Sequence, residues 1–146
     1  MELIVKGIED ERVYTKQQDI VYKDEFVTAF ISSHWWPNNP GHVVIVPNES
    51  FENIYDLPDA VASHIHTCAR KVALAFKEIY LCEGTSVRQH NEPAGNQDVW
   101  HYHLHVFPRY TNDQLYLNHD KKRLTTPEER KPYAEKLQSY FKDHHA

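Results

Sequence analysis

Polar and apolar positions alternate most regularly over residues 100–108. In this stretch single apolar residues separate His101, His103 and His105. Because successive side chains of a β-strand point to opposite faces, this period of two predicts a strand with all three imidazoles on one face. The apolar residues between the histidines would then point into a core. Pro108 has no N–H to donate to a ladder and is predicted to mark where regular pairing stops.

Other hydrophobic patterns predict further strands and a long helix. Runs rich in β-formers predict strand material at residues 13–16, 19–23, 26–31, 41–47 and 85–91. Apolar residues at steps of three and four predict a helix that opens at Pro58 and ends near Gly84, with its buried stripe at Val61, Ile65, Cys68, Val72, Phe76 and Ile79. The sequence therefore predicts an α+β fold in which this helix covers one face of a sheet.

The C-terminal part of the chain predicts a second helix. The segment from Thr126 to Glu129 resembles a capping box with proline at the first helical position. Pro132 leaves two starts open, because a helix that begins at Pro127 would be kinked there and one that begins near Lys131 would not.

Composition adds the broad class. The chain has 146 residues, which suits a single domain over residues 1–146, and it is 40% apolar with a formal net charge of −5. The negative charge argues against a nucleic-acid partner. No run of about 18 apolar residues predicts a membrane span, and the N-terminus lacks a signal-peptide core. We therefore expect a cytoplasmic protein with neither nucleic acid nor membrane as a partner.

The two cysteines, Cys68 and Cys82, do not indicate a disulfide. On one predicted helix they would lie about 21 Å apart, which is too far for a bond. We interpret them as small buried apolar residues, with redox chemistry as the weaker alternative.

The histidine row has three interpretations. In the first, the three histidines have only a structural role. In the second, they bind a metal through neutral imidazoles, and in the third they act along an extended anion such as a phosphate chain. On an extended strand His101 and His105 would lie about 13 Å apart, so three imidazoles in a straight row do not converge easily on one ion. We therefore favour the extended anion.

The run from His101 to Pro108 resembles the signature of the histidine triad (HIT) nucleotide hydrolases and transferases. In that signature single apolar residues separate three histidines, and two further apolar residues follow the last histidine. The stretch from Gly41 to Pro47 is similar to the second signature of that family. The resemblance covers residues 3–142. It implies a five-stranded antiparallel sheet with one long helix packed on it and a C-terminal helix. It also implies a dimer that joins the two sheets, and it calls for no cofactor.

The resemblance further implies attack on the α-phosphate of a purine nucleotide or nucleotide conjugate, such as a nucleoside phosphoramidate or a dinucleoside polyphosphate. His103 would be the nucleophile and form a nucleotidyl-imidazole intermediate. His101 and His105 would orient His103 and stabilise the phosphate oxygens. Gln97 would hold the phosphate and later position water, and Asn91 would contact the phosphate or ribose side.

Substrate-binding residues are expected after the first strands. Phe26 and Phe30 belong to the segment that resembles the family's base-binding edge. Family members often carry an acidic residue shortly after this strand to contact the ribose, and none is present here. Ser32 or His34 is expected to stand in for it. The two tryptophans at positions 35 and 36 are either a binding platform or a cover for the sheet edge or a dimer contact.

This chain departs from the family pattern at two informative positions. Relatives often have Ser or Thr where Asp98 lies, and that hydroxyl helps to protonate a leaving amine. A carboxylate there would disfavour long polyphosphates and amines with a free carboxylate, unless it simply points into solvent. In many bacterial relatives a histidine at the position of Ser50 joins two N-terminal cysteines around zinc. Because these ligands are missing, we predict no structural zinc and no other metal site.

Two other functions stay open beside this one. A nucleotide-binding or sensing module would use the same pocket with negligible catalysis. A metalloenzyme would use the histidine row as ligands. A covalent adduct on His103 would separate catalysis from binding alone.

Overall fold

The computed structural model describes residues 14–144. Its strands are β1 (Ile20–Lys23), β2 (Val27–Ile31), β3 (His34–Trp35), β4 (Val43–Pro47), β5 (Gly84–Arg88), β6 (Leu104–Arg109) and β7 (Arg123–Leu124). Five of them form an antiparallel sheet in the order β1-β2-β4-β6-β5, and β3 pairs with β7 in a separate ribbon. This sheet confirms the predicted α+β fold.

Among residues 14–144, two long helices accompany the sheet. Helix α1 spans Asp59–Ala75 and continues through a π-helical turn at Phe76–Tyr80, and helix α2 spans Pro127–Asp143. Leu81 ends the turn in the left-handed region at φ 55°. The predicted end at Gly84 is therefore wrong, because that residue already begins β5.

The two cysteines lie in different elements. Cys68 is on α1, but Cys82 lies beyond the end of its π-helical turn, so the prediction that both share one helix is wrong. Both are buried and neither forms a disulfide. Their burial agrees with their interpretation as small apolar residues.

The capping residues decide between the two predicted starts of α2. The Thr126 hydroxyl oxygen accepts a hydrogen bond of 3.1 Å from the backbone N–H of Glu129, and the Glu129 carboxylate accepts one from the Thr126 N–H. The helix thus begins at Pro127 and contains Pro132. Over residues 14–144, no helix is both long enough and apolar enough to cross a membrane.

Two further strand predictions need correction. Residues 14–16 form no strand, and a 3-10 turn at Gln17–Asp19 leads into β1 instead. Val13 and the N-terminal stretch considered as a signal peptide lie outside the described residues. Pairing of β6 with β5 continues through Pro108 to Arg109, so the predicted stop at Pro108 is also wrong. Proline is tolerated there because β4 pairs with β6 only over residues 104–106.

The two faces of the sheet have different roles. Val27, Ala29 and Ile31 of β2 belong to the large core cluster that also contains the buried residues of α1 and α2. Phe30 points to the opposite face, where it forms a small cluster with Val44 and Val46 of β4. The alternation along β2 thus leaves one face of the sheet free of both helices and available for a site.

A buried ion pair ties α2 to the start of β1. The Arg130 guanidinium donates to the Asp19 carboxylate at 3.1 Å, and both side chains are fully buried. Arg130 also donates to the carbonyl oxygens of Thr125 and Tyr14, at 2.9 and 2.7 Å. The second Asp19 oxygen accepts from the Lys16 backbone N–H at 2.7 Å. The two charges are therefore compensated by several hydrogen bonds, which a buried pair requires.

We expect Asp19→Ala to lower the free energy of unfolding by about 3–5 kcal/mol, because it leaves the buried Arg130 charge without its partner. Urea unfolding of the full chain measures this loss. Arg123→Gln is the matched control, since it breaks the exposed pair with Glu129 and should cost at most about 1 kcal/mol. Equal losses in the two variants would contradict the assignment.

Candidate active site

A cavity of about 540 Å³ lies on the face of the sheet that the helices leave free. Four of the residues predicted to form the site line it, and these are Phe30, Asp98, His103 and His105. The six others, His101, Gln97, Asn91, Phe26, Ser32 and His34, are not among its lining residues. The structure therefore brings together a part of the predicted site and places the rest around or away from it.

Strand register sets the order of side chains across the cavity floor. Phe30 of β2 pairs with Val44 of β4, Val44 pairs with His105 of β6, and His105 pairs with Arg88 of β5. All four residues line the cavity. Neighbouring strands are about 4.8 Å apart, so the row spans about 14 Å. It runs from an apolar end, past an imidazole, to a permanent cation.

His103 is held by the backbone of the first histidine. Its Nδ1 lies 2.8 Å from the carbonyl oxygen of His101. A carbonyl can only accept, so Nδ1 carries the hydrogen and Nε2 of the neutral ring keeps its lone pair. Nε2 lies 3.9 Å from Oδ1 of Asp98, and the His103 side chain is 13% exposed. The ring therefore presents a nucleophilic nitrogen beside an acidic side chain at the cavity.

His105 is paired with a fourth histidine, His42, at the start of β4. Nδ1 of His105 lies 3.3 Å from Nε2 of His42, whose own Nδ1 is buried with no hydrogen-bond partner. Burial is the main cause that lowers the pKa of His42 to about 3 and the pKa of His105 well below 6.5, so both rings are neutral. An orphaned N–H is rarer in proteins than an orphaned acceptor. We therefore assign the donated hydrogen to Nε2 of His42, so that the hydrogen of the neutral His105 ring lies on its own Nε2.

Gly41 allows His42 to enter this buried position. Its φ of 78° is in the left-handed region, and a Cβ built on it would lie 2.5 Å from the Tyr133 ring and 2.8 Å from the Tyr80 hydroxyl. His42 itself is fully buried and stacks on Phe107 at 4.5 Å between ring centroids. His42 does not line the cavity itself, but it contacts two side chains that do, His105 and Trp36.

The ring of His101 is sealed from the cavity. It is fully buried, and its Nε2 lies 3.1 Å from the carbonyl oxygen of Pro47. The chain enters the ladder only at Leu104, because the backbone N–H of Tyr102 is bonded to Phe51 rather than to a strand. The prediction that all three imidazoles face the site is thus wrong for His101. The rings of His103 and His105 line the cavity, and His101 contributes only its backbone carbonyl, which holds His103.

Gln97 and Asn91 hold loops together. The Gln97 amide donates to the carbonyl oxygens of Glu52 and Val99 and accepts from the Glu92 backbone N–H, at 2.7, 3.1 and 2.7 Å. The side-chain Oδ1 of Asn91 accepts a hydrogen bond of 2.9 Å from the backbone N–H of Ile54. In this state neither side chain points a group at the cavity, and both fix the loop that delivers Asp98.

Asn96 shapes the loop that precedes the triad strand. It adopts φ 69°, in the left-handed region that Gly favours and Asn tolerates. Asn96 also lines the cavity, next to the loop residue Asp98.

The remaining predicted binding residues lie elsewhere. Phe26 stacks on His64 of α1, with 3.9 Å between ring centroids. The Ser32 hydroxyl donates to the His34 carbonyl oxygen at 3.1 Å, and Nδ1 of His34 lies 3.0 Å from the Ser33 hydroxyl. Phe26 misses the cavity face because β2 begins only at Val27, so the strict alternation does not extend back to it.

Several cavity residues were not identified from the sequence. Arg88 shares its face with His105 through strand pairing, a signal that register alone could have provided. Lys122 comes from the segment between β6 and β7, for which the sequence predicted no functional residue. Of the two tryptophans, Trp36 lines the cavity, whereas Trp35 packs on Tyr133 in the main core.

No described group of residues is arranged as a metal site. Over residues 14–144, no cluster of three or more His, Cys, Asp or Glu side chains could hold a metal ion. The expectation that the protein contains no structural zinc stays a prediction.

Comparisons with known proteins identify the family. Residues 14–112, more than half of the chain, match the HIT domain. "Protein hit" of Bacillus subtilis is 32% identical over 90 residues, which cover 62% of this chain and 61% of that protein. The purine nucleoside phosphoramidase of Escherichia coli is 32% identical over 92 residues, which cover 60% of this chain and 73% of the enzyme. This chain belongs to the HIT domain family.

Solved structures agree with this assignment. A HIT-like protein from Bartonella henselae superposes with a TM-score of 0.70 at 28% identity and covers 83% of this chain and 85% of its own. The diadenosine triphosphate hydrolase of Plasmodium falciparum has a TM-score of 0.76 at 17% identity, covering 90% of this chain and 82% of its own. The second likeness shows the fold alone. The alignment with the Bacillus protein spans less than two thirds of its length.

We expect the buried neutral His42 to make stability depend on pH. Its pKa is about 3 in the folded chain against 6.5 ordinarily, so between these values the unfolded chain binds a proton that the folded chain does not. The free energy of unfolding should therefore fall as the pH falls below 6.5. His42→Phe should reduce the loss between pH 6.5 and pH 5 by about 1.5 kcal/mol, measured by urea unfolding. An unchanged pH dependence in this variant would contradict the neutral assignment.

Proposed function

We propose that this protein is a nucleotide hydrolase or transferase that attacks the α-phosphate of a purine nucleotide conjugate through a nucleotidyl-histidine intermediate on His103. One observation carries the proposal, the 2.8 Å hydrogen bond that fixes Nδ1 of His103 on the His101 carbonyl oxygen. It leaves Nε2 as the free nucleophilic nitrogen at the cavity. Covalent capture then divides one difficult displacement into two easier steps.

The chemistry follows from the atoms at hand. The lone pair of His103 Nε2 attacks the α-phosphorus, and the bond to the leaving group breaks. The leaving group departs with the electron pair and takes a proton from water. Water or another hydroxyl acceptor then attacks the phosphorus, the P–N bond returns its electrons to Nε2, and the proton lost by the attacking oxygen passes to solvent. The Nε2–H of His105 is placed to donate to a phosphate oxygen as charge builds up on it.

The polarity of the cavity floor orients the substrate. Phe30 and Val44 offer the apolar surface that suits a base, and His105 follows directly in register. A nucleoside lying on Phe30 and Val44 would carry its α-phosphate to the histidines. The purine preference rests on the named activity of the Escherichia coli relative, a purine nucleoside phosphoramidase.

A nucleotide-binding module with little catalysis is the second candidate. It is favoured by the hydrogen bonds that occupy the Gln97 amide, since the phosphate contact that the resemblance assigns to this residue is not formed in this state. Such a module would bind nucleoside monophosphates in the same cavity and would form no adduct.

We also propose that the protein is a cytoplasmic homodimer. The two free, buried cysteines fit a reducing compartment. Among the described strands, β5 lies at one end of the sheet and pairs only with β6, and its Val87 is 49% exposed. A second copy could continue the sheet from this edge.

We expect His103→Ala to reduce turnover of adenosine 5′-phosphoramidate and diadenosine triphosphate by at least about a thousandfold, because it removes the nucleophile. The affinity for AMP should stay within about threefold of wild type, since the base and ribose contacts remain. Steady-state kinetics and calorimetric titration with AMP measure the two quantities. Quenched wild-type reactions should show, by intact-protein mass, one added adenylate that the variant lacks.

His66→Ala on the exposed surface of α1 is the control and should behave as wild type. Wild-type turnover in His103→Ala would refute the mechanism. AMP binding without turnover or adduct in the wild-type protein would select the binding module instead.

We expect light scattering to report a dimer for the wild-type chain. Val87→Lys should shift it to the monomer, because a charge at the outer strand opposes strand addition. A wild-type monomer, or a variant dimer of unchanged stability, would contradict the β5 interface.

A further inference from the structure

The Arg88 end of the cavity floor carries two cations without a carboxylate partner. The Arg88 guanidinium lies 4.9 Å from the Trp36 ring centroid and 4.8 Å from that of Phe107. The Lys122 ammonium lies 5.6 Å from the same Trp36 ring. Over residues 14–144, neither cation has an ion-pair partner within 4.0 Å. Cation–π contacts hold both charges in place and leave them free to bind an anion.

The geometry points to a second anion subsite, formed by Arg88 and Lys122 around Trp36, that takes the phosphate next to the scissile one. This inference rests on the proposed function, because it places the α-phosphate at His103. Arg88 pairs with His105 across β5 and β6, so the two residues start about 5 Å apart on the same face of the sheet. Two adjacent phosphates of one substrate could therefore contact the two side chains at the same time. The substrate class would then be a phosphoric anhydride, with a phosphate in its leaving group.

The state of Arg88 supports a bound anion. Its Nε is buried and has no hydrogen-bond partner. Burial lowers the pKa of Arg88 from its ordinary value, which means that the charged form has lost solvation. A bound phosphate would replace the solvation that the charged form has lost, because the planar guanidinium matches two phosphate oxygens.

Asp98 opposes this binding but is outweighed. Its carboxylate is on the same cavity, and the sequence alone predicted that it would disfavour polyphosphates. Its side chain is 68% exposed, so solvent screens its charge. Arg88 and Lys122 contribute two positive charges against this one negative charge. The net field at this end of the cavity is therefore positive, and it also contributes to the lowered pKa of His42.

The experiment measures nucleotide binding without turnover. In the His103→Ala background, calorimetric titrations compare AMP with ADP, which differ only by the second phosphate. We expect ADP to bind at least about tenfold more tightly at low salt, and this preference to shrink as NaCl increases. Arg88→Met and Lys122→Met, each added to this background, should weaken ADP binding more than AMP binding and so reduce the preference severalfold or more.

Two further variants keep the test decisive. Arg88→Lys retains the charge and should retain a part of the ADP preference, which a mere loss of packing would not predict. Arg70→Met removes an exposed arginine of α1 and should leave both affinities unchanged.

The outcomes separate the two proposals. Equal affinity for AMP and ADP, or a preference that survives both methionine variants, would overturn the anion subsite while AMP binding would still support the nucleotide site. Failure to bind either nucleotide would overturn the subsite and the proposed function together.

Discussion

The register between β4 and β6 is the constraint on which the site depends. Val44 opposite His105 places both on the open face, while the neighbouring pair of Val43 and Val106 points into the core. A slip of one residue would exchange these sets and bury the imidazole among aliphatic side chains. Packing of the large core beneath the sheet thus fixes the histidine, because every apolar residue on the helix side of β6 resists the slip.

On the same open face of the sheet, the neutral histidines and the charged side chains occupy different positions. His42 and His105 are neutral because they are buried, so they act as hydrogen-bond donors and acceptors rather than as cations. Permanent positive charge is supplied separately by Arg88 and Lys122, which aromatic rings hold in place. Beside this positive field, the Nδ1 hydrogen of His103 is fixed by a carbonyl and not by a carboxylate, which leaves Nε2 of the ring at the cavity.

Much of this arrangement could be predicted from the sequence. The α+β fold, the strand bearing His105 and the capped start of α2 follow from local periodicity and capping chemistry. The helix end was misplaced because Leu81 adopts the left-handed conformation usually left to glycine. His101 was misplaced because periodicity assumes a strand that extends to it, and tertiary hydrogen bonds to Pro47 and Phe51 end the ladder at Leu104.

The two cations at one end of the cavity could not be predicted from local sequence patterns. Arg88 belongs to the site only because β5 pairs with β6, and Lys122 only because the segment after β6 reaches the cavity, and both are long-range contacts. Asp98 lies three, five and seven residues before the three histidines of the triad, so the sequence draws attention to its negative charge. The cations that balance it come from 10 residues before and 24 residues after Asp98. The charge of this cavity is therefore the sum of groups that are distant in sequence and that the fold brings together, and the triad motif by itself does not determine it.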